Sequence, residues 1–266
     1  MNVTFLGAGL YGEALAKLVE INDHEVKFYD PYRFPEIELK DAVRDADALV
    51  YVAPAHAYSD ILPGLPKDKP LILASKGFVS MQPFKEFTDF SVLGGAAFAE
   101  DIMTGKPQIG PVIRLTASSE LSEQLFTTDF VWVEYTEDTK GIMLCGALKN
   151  VYAIGAGIYL EVNNPEPYFK QAFDEMRDII ELNGCKRETA TLSCGLPDLI
   201  MSSSSDGRNF RFGDEIRNFP NSKLEPVGTV EGVTVIQSLA DFPDFKVPSS
   251  AKLFKEIVKG VINATQ

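Results

Sequence analysis

The first thirty residues combine two short apolar segments, a glycine-rich turn and an acidic residue. Residues 3–6 read as a strand, the sequence GAGLYG follows at residues 7–12, and apolar residues then recur at helical spacing. Residues 25–29 read as a second strand, and Asp30 comes directly after it. The order strand, G-x-G-x-x-G, helix, strand, acid is typical of a dinucleotide-binding unit. The chain is therefore predicted to begin with a Rossmann-type α/β domain.

Each position of this pattern has a physical role in binding a dinucleotide. Gly7 allows a tight turn, Gly9 lets the backbone approach a pyrophosphate, and Gly12 lets the helix pack closely on the strand. The amino terminus of the helix offers N–H groups to the phosphates. Asp30 is placed to accept hydrogen bonds from ribose hydroxyls, which favours NAD because an acid repels the extra phosphate of NADP. Arg33 lies close enough in the sequence to weaken that preference.

Later segments predict the rest of the sheet and then a change of architecture. Further strand-like runs lie at residues 48–53, 71–74, 91–93, 112–115 and 131–134. After Tyr135 the patterns are mainly helical, including residues 170–182 and 249–262. We therefore predict two domains: residues 1–136 bind a dinucleotide, and residues 137–266 form a helical domain that binds the substrate.

Composition and charge restrict the class of protein and its partners. With 45% hydrophobic and 24% charged residues, the chain reads as a globular protein. The formal net charge of −13 argues against nucleic acid and anionic membranes as partners. Residues 1–9 lack the charged and apolar regions of a signal peptide, so a cytoplasmic protein is expected. Three cysteines without CxxC spacing and two distant histidines predict neither a disulfide framework nor a metal site.

Residues 141–160 are mostly apolar or small and contain one charged side chain, that of Lys149. The segment could be a membrane span or a buried helix of a soluble protein. A charge near the centre and several glycines are unfavourable for a span, so we predict a buried helix and no membrane insertion. A lysine enclosed by apolar residues needs a charged partner or a function, because its desolvation is costly. A lysine at a helix end that reaches solvent remains the alternative.

The sequence GALKNVYAIGAGI around Lys149 resembles the catalytic-lysine helix of the NAD(P)-dependent sn-glycerol-3-phosphate dehydrogenases. Other segments resemble motifs of this family in the same order: GAGLYG at residues 7–12, APAHA at 53–57, SKG at 75–77, GGAAFAE at 94–100, GLPDL at 195–199, RNFRFG at 208–213 and VEG at 230–232. The resemblance implies a Rossmann-type domain followed by an all-α substrate domain of the 6-phosphogluconate dehydrogenase-like type. It is compatible with a homodimer.

The resemblance also implies an activity and a set of site residues. The activity is the reversible reduction of dihydroxyacetone phosphate by NADH or NADPH to sn-glycerol 3-phosphate, which supplies phospholipid synthesis. Lys149 is implied as the general acid that stabilises charge on the substrate, with Asp198 positioning it. The implied substrate-binding residues are Lys76, Gly95, Asn150, Arg208 and Asn209. The implied cofactor-binding residues are Gly7, Gly9, Leu10, Tyr11, Gly12, Asp30, Pro54, Lys76, Ala99, Arg208 and Glu231.

The chain departs from the family pattern in three places. Only residues 31–47 separate the second strand from APAHA, where the family has a further helix and strand, so part of the wall near the adenosine is expected to be missing. Ala96 and Ala97 replace a Pro-Ser or Pro-Thr pair, and Pro197 stands where glycine or alanine is usual. None of these departures touches the implied catalytic residues.

Two other functions remain open at this point. One is a related reductase of another small oxo-acid or oxo-phosphate, and the other is a non-catalytic NAD(H)-sensing protein. The intact RNFRFG sequence favours a phosphorylated substrate, whereas the presence of both Lys149 and Asp198 favours an enzyme. The serine run at residues 202–205 is interpreted as a polar connecting loop.

Overall fold

The chain divides into two compact units, each described here by itself. The computed structural model describes residues 1–106, 112–161, 163–205, 207–220 and 222–265. The first unit consists of Met1–Lys76 and Met81–Thr139, and the second of Gly77–Ser80 and Lys140–Gln266. The first unit contains a β-sheet with helices, and the described part of the second contains helices only.

The first unit is built on one sheet, which has seven strands in the part of the chain that the structure describes. These are β1 (Asn2–Leu6), β2 (Glu25–Tyr29), β3 (Ala48–Tyr51), β4 (Leu71–Leu73), β5 (Phe90–Ala96), β6 (Ile113–Ala117) and β7 (Val131–Tyr135). Their order is β2-β1-β3-β4-β5-β6-β7. Neighbouring strands are parallel except for the antiparallel pair β5 and β6. The strand-like runs of the sequence therefore fall on β3 to β7.

Helices follow most of these strands, as in a parallel sheet whose strands are joined by crossovers. They are α1 (Leu10–Ile21), α2 (Leu39–Val43), α3 (Tyr58–Ile61), α4 (Ala99–Thr104) and α5 (Glu120–Phe126). Strands β3 and β4 are buried along their whole length. Continuous apolar strands of this kind are typical of central strands in a parallel sheet, because both of their faces are covered.

Strand β2 forms an edge of the described sheet. It pairs with β1, and the chain then passes through the short helix α2 and returns to β3 on the other side of β1. In the usual dinucleotide-binding order a further strand lies outside the equivalent of β2. The short connection of residues 31–47 therefore leaves β2 without a further strand beside it among the described residues, in agreement with the shortened sequence.

The second unit is organised around one long helix. Its helices are α6 (Thr139–Tyr159), α7 (Glu166–Leu182), α8 (Leu196–Ser202), α9 (Arg208–Asn218), α10 (Glu231–Ser238) and α11 (Lys252–Thr265). By length and composition, α6 could cross a membrane, yet 94% of its most apolar window is buried in the structure. Every residue from Gly141 to Gly157 is buried. The interpretation of α6 as a buried core helix is therefore confirmed.

A buried carboxylate joins three of these helices. Glu175, on α7, accepts hydrogen bonds from the backbone N–H groups of Leu253 and Phe254 at 2.9 and 2.8 Å, in the first turn of α11. It also accepts a hydrogen bond from the Tyr152 hydroxyl on α6 at 3.3 Å. Burial, together with the nearby Glu175 carboxylate, raises the pKa of Tyr152. Glu175 therefore satisfies N–H groups that the start of α11 cannot pair within the helix.

Glycines let α9 cross α6 with the two backbones in contact. A Cβ atom on Gly213 would lie 1.9 Å from the carbonyl oxygen of Ile154, and one on Gly157 would lie 2.1 Å from that of Phe210. No L side chain fits at these distances unless a backbone moves. At least one glycine within the apolar sequence of α6, Gly157, is therefore a site where α9 packs against α6.

Gly213→Ala should lower the free energy of unfolding by about 2–3 kcal/mol, because the added methyl group forces α9 away from α6. Urea unfolding followed by circular dichroism measures this change. Gly260→Ala on α11 is the matched control, since its Cβ would meet its nearest atom only at 4.0 Å. This control should raise the free energy of unfolding by up to about 1 kcal/mol through helix propensity. Equal effects of the two variants would contradict the close crossing.

Candidate active site

The glycine-rich turn between β1 and α1 is shaped by close contacts and by an open position. Gly7 has φ +117°, in the region that favours glycine, and a Cβ atom there would lie 2.8 Å from the amide nitrogen of Ala53. A Cβ on Gly12 would lie 2.8 Å from the carbonyl oxygen of Gly7. Around Gly9, by contrast, a Cβ would meet no atom within 4 Å. The turn is thus tight at Gly7 and Gly12 and open at Gly9, where a pyrophosphate needs to approach.

The Asp30 carboxylate is bound to backbone N–H groups of this turn and of its own loop. One oxygen accepts from Ala8 at 2.9 Å, and the other accepts from Tyr32 and Arg33 at 3.0 and 3.2 Å. Burial by itself would raise the pKa of Asp30, but these three hydrogen bonds and the Arg33 charge outweigh it and lower that pKa. Asp30 is therefore ionised at neutral pH and fixed beside the turn.

Lys76 lies beyond the carboxyl end of β4, next to residues of β5 and of the turn. Its ammonium group donates a hydrogen bond to the carbonyl oxygen of Gly95 at 3.3 Å and lies 6.0 Å from the centre of the Tyr11 ring. The structure thus brings together three residues that the sequence assigned to substrate or cofactor binding. In open α/β sheets, ligands bind beyond the carboxyl ends of the strands.

Three more residues predicted to bind the cofactor lie at or directly before the starts of helices. Leu10 is the first residue of α1 and is 79% exposed. Pro54 follows β3, is exposed, and precedes the short 3₁₀ helix Ala55–Ala57. Ala99 is the first residue of α4. Their roles in binding remain predictions.

In the second unit, Lys149 lies near the middle of α6 and is bonded to two side chains of α8. Its ammonium nitrogen lies 3.3 Å from a carboxylate oxygen of Asp198 and donates a hydrogen bond to the Ser202 hydroxyl at 2.6 Å. The Ser202 hydroxyl donates in turn to Asp198 at 3.2 Å. The side chains of Lys149 and Asp198 are 8% and 0% exposed. Lys149 is therefore buried with a charged partner, and the alternative of a lysine that reaches solvent is wrong.

The local sequence of α8 explains how Asp198 and Ser202 meet the same lysine. Asp198 lies in the first turn of α8, where the helix dipole stabilises a negative charge and Pro197 is tolerated. Ser202 follows four residues later, so both side chains lie on one face of the helix. The interpretation of residues 202–205 as a loop is wrong for Ser202, because α8 extends to this residue. The i, i+4 spacing from Asp198 was the signal that could have identified it.

Asn150 and Asn209, both predicted to contact the substrate, are buried and bonded to each other. The Asn209 side-chain amide donates to the Asn150 carbonyl oxygen at 3.0 Å, and its own oxygen accepts from the Gly232 backbone N–H at 2.9 Å. Asn150 donates to the carbonyl oxygen of Gly146 at 3.1 Å. These bonds join α6, α9 and α10. A carboxamide has two N–H donors and two acceptor sites, so each side chain keeps capacity for a ligand.

Arg208 and Glu231 form an ion pair at the starts of α9 and α10. Their side chains are 3.0 Å apart and are 52% and 33% exposed. Among the described residues, Glu231 is the one hydrogen-bond partner of the Arg208 guanidinium group, so most of its five N–H donors are available there. The sequence assigned both residues to the cofactor and Arg208 also to the substrate phosphate.

The buried pair of Lys149 and Asp198 predicts a large loss of stability when one charge is removed alone. Asp198→Ala should lower the free energy of unfolding by about 3–5 kcal/mol, because the Lys149 ammonium loses its buried counter-charge. The double variant Lys149→Met/Asp198→Leu should recover most of this loss. Urea unfolding measures both.

Asp214→Ala is the control, since the ion pair of Asp214 with Arg217 is partly exposed to solvent and should contribute under about 1 kcal/mol. If Asp198→Ala were no more destabilising than Asp214→Ala, the buried ion pair would not carry the energy assigned to it.

Most of the second unit matches a known protein family in sequence. Residues 138–264 match the family described as the NAD-dependent glycerol-3-phosphate dehydrogenase C-terminus. The matched segment extends from the start of α6 nearly to the end of α11. It therefore contains Lys149, Asp198, Ser202 and Arg208.

Relatives of the same name extend over nearly the whole chain. Glycerol-3-phosphate dehydrogenase [NAD(P)+] of Hydrogenovibrio crunogenus is 26% identical over 317 aligned positions, which cover 97% of this chain and 91% of that protein. The enzyme of that name from Pseudoalteromonas translucida is 29% identical over 305 positions, with 95% and 91% covered. Both alignments are longer than the chain's 266 residues. This chain therefore lacks segments that the relatives have.

Solved structures share the fold. Glycerol-3-phosphate dehydrogenase of Coxiella burnetii has a TM-score of 0.78 at 18% identity, with 98% of both chains covered. The Saccharomyces cerevisiae enzyme has a TM-score of 0.76 at 20% identity, with 99% of this chain and 96% of that chain covered. A ketopantoate reductase of Ralstonia eutropha has a TM-score of 0.58 at 15% identity, with 99% of both covered.

Because the sequence identity to these solved structures is low, their structural similarity shows the fold alone. This similarity confirms the predicted Rossmann-type domain followed by a helical domain. The match of residues 138–264 and the relatives along nearly the whole chain also confirm the resemblance that the motifs indicated. Residues 138–264 therefore belong to the glycerol-3-phosphate dehydrogenase family, and the chain along nearly its whole length is similar to enzymes of that name.

Proposed function

We propose that the chain is an NAD(P)-dependent glycerol-3-phosphate dehydrogenase that reversibly reduces dihydroxyacetone phosphate to sn-glycerol 3-phosphate. The observation that carries this proposal is the buried Lys149, which is paired with Asp198 and bonded to Ser202 within the segment that matches the family. Relatives of that name along the rest of the chain support it. The product would supply phospholipid synthesis.

The first unit fits a nicotinamide dinucleotide. Its turn is open at Gly9, where a pyrophosphate can approach, and Asp30 is ionised beside the turn, where it can accept from ribose hydroxyls. When bound, the cofactor supplies the hydride. We infer a preference for NAD over NADP, because a fixed negative charge at Asp30 repels a 2′-phosphate.

Lys149 would supply the proton of the reaction. Hydride addition to the carbonyl carbon leaves negative charge on the carbonyl oxygen, and that oxygen must then receive a proton. An ammonium group buried away from water stabilises this charge strongly and can donate the proton. Asp198 would balance the charge of Lys149 and, with Ser202, would fix the direction of its N–H groups. In the oxidation direction the neutral lysine would act as the base.

Arg208 would hold the substrate phosphate. A guanidinium fork matches a phosphate geometrically, and Arg208 is half-exposed with most of its donors available. A chain of net charge −13 needs such local positive groups to attract a phosphorylated substrate. Asn150 and Asn209 would add hydrogen bonds to the substrate. Lys76 and Gly95 are also proposed as substrate-binding residues. Glu231, through its bond to Arg208, would place that side chain.

The remaining assignments are also proposals. We propose that residues 1–136 serve the cofactor and residues 137–266 the substrate. A cytoplasmic location is supported by the relatives and by the burial of α6. A homodimer is compatible with the resemblance, and light scattering of the purified chain would determine the state of assembly.

The fold is shared with a ketopantoate reductase, so the fold alone does not select the substrate. The deciding assay follows NADH and NADPH absorbance with dihydroxyacetone phosphate, unphosphorylated dihydroxyacetone and a 2-oxo acid as substrates. Oxidation of NADH that depends on dihydroxyacetone phosphate is the expected result. Turnover of the 2-oxo acid alone would favour the related reductase, and nucleotide binding without any turnover would favour the NAD(H)-sensing protein.

Lys149→Ala should reduce kcat by about 10²-fold or more, because the variant lacks both the proton donor and the positive charge. NADH binding, measured by fluorescence titration, should remain nearly unchanged. Lys140→Ala is the matched control on the same helix, since its ammonium group bonds the Asn183 carbonyl instead. A Lys149→Ala variant with near wild-type kcat would remove Lys149 from catalysis.

Arg208→Ala should lower kcat/KM for dihydroxyacetone phosphate by roughly 10- to 10³-fold at saturating NADH, since a charge-assisted bidentate contact is lost together with positioning. The slow rate with unphosphorylated dihydroxyacetone should hardly change. Arg211→Ala provides a control for the loss of an exposed positive charge on α9. Equal losses with both substrates would assign Arg208 to the fold or the cofactor.

A further inference from the structure

An acidic residue follows the glycine-rich turn directly and is bonded to Arg33. Glu13 lies in the first turn of α1, and its carboxylate accepts a hydrogen bond from the Arg33 guanidinium at 2.5 Å. The same guanidinium nitrogen donates to the carbonyl oxygen of Ala8, also at 2.5 Å. The helix dipole stabilises the carboxylate at this position. A negative charge here is nevertheless unfavourable for phosphates, which bind at the same helix terminus.

The side chains of Asp30 and Arg33 both form hydrogen bonds with the backbone of one residue of the turn, Ala8. Ala8 donates its N–H to Asp30 and accepts at its carbonyl oxygen from Arg33. The backbone N–H of Arg33 also bonds Asp30. We call Asp30, Arg33 and Glu13 the ribose cluster, because an acid placed like Asp30 binds the ribose hydroxyls in this fold. The cluster holds two negative charges and one positive charge.

We propose that Glu13 strengthens the preference for NAD over NADP by holding Arg33, and this inference rests on the proposed nicotinamide-dependent function. In folds of this type an arginine near the acidic residue accommodates the 2′-phosphate of NADP. Arg33 is placed for that task, but its charge is balanced by Glu13. A 2′-phosphate would therefore meet an excess of negative charge, whereas a 2′-hydroxyl needs only the acceptor that Asp30 provides.

The position of the ribose cluster at the sheet edge makes this contact reversible. The side chains of Arg33 and Glu13 are 49% and 37% exposed. Strand β2, which leads into Asp30, is the edge strand of the described sheet. Arg33 therefore has room to turn away from the protein when Glu13 no longer holds it. Neutralising Glu13 should convert Arg33 into a ligand for a 2′-phosphate.

Direct binding of two adenosine nucleotides tests the inference without turnover. Calorimetry gives Kd for 5′-ADP and for adenosine 2′,5′-bisphosphate with the wild-type chain, Glu13→Gln, and Glu13→Gln/Arg33→Ala. Glu20→Gln is the matched control, since Glu20 is an exposed acid on the same helix. Glu13→Gln should improve binding of the bisphosphate relative to 5′-ADP about tenfold, the value of one partly exposed charge-assisted contact. The control should change this ratio by less than about twofold.

The improved binding of the bisphosphate relative to 5′-ADP should be lost in Glu13→Gln/Arg33→Ala, and this loss would identify Arg33 as the ligand of the 2′-phosphate. An unchanged ratio in Glu13→Gln, an equal gain in Glu20→Gln, or a gain that persists without Arg33 would each overturn the inference. The proposed function is tested separately by turnover of dihydroxyacetone phosphate. If the wild-type chain turns over dihydroxyacetone phosphate but Glu13→Gln leaves the ratio of the two Kd values unchanged, only the inference about Glu13 is overturned. If Glu13→Gln shifts this ratio but the wild-type chain has no turnover, only the proposed function is overturned. Absence of nucleotide binding would overturn both.

Discussion

The second unit depends on the burial of one positive charge within its central helix. An ammonium group removed from water costs several kcal/mol unless a counter-charge accompanies it, so the Asp198 carboxylate must lie beside Lys149. Asp198 in turn fixes the position of α8, and the Ser202 hydroxyl completes the arrangement by bonding both charged groups. The ion pair that offsets the cost of burying Lys149 also fixes the direction of its ammonium group, which we propose as the catalytic acid.

Close backbone contact is the second condition for this arrangement. Helix α9 reaches α6 because Gly213 and Gly157 have no side chains, and Gly232 allows a similar approach of α10. That proximity lets Asn209 bond both Asn150 and the start of α10. The side chains that we assign to the substrate are therefore held by the packing of helices, and a small displacement of α9 would move Arg208 and Asn209 together.

Much of the fold and part of the candidate site were predictable from local sequence. The glycine-rich turn, its flanking strands and Asp30 lie within thirty residues, where spacing alone reports geometry. The buried helix around Lys149 was predictable because its apolar run is long and its charge is central. Ser202 was missed because a serine run resembles a loop until the end of α8 is known. The position of β2 at the end of the described sheet followed from the short connection after it.

The sequence by itself determined the types and periods of the elements, the glycine-rich turn and the need of Lys149 for a partner. Only the tertiary structure decided which groups meet. Lys149 bonds Ser202 across 53 residues of chain, Asn209 bonds Asn150 across 59, and Glu13 bonds Arg33 across 20. Periodicity arises from interactions within a few residues, and it therefore predicts helices and strands. The choice among several possible polar partners depends on how the elements pack, because only packing brings distant side chains within hydrogen-bonding distance.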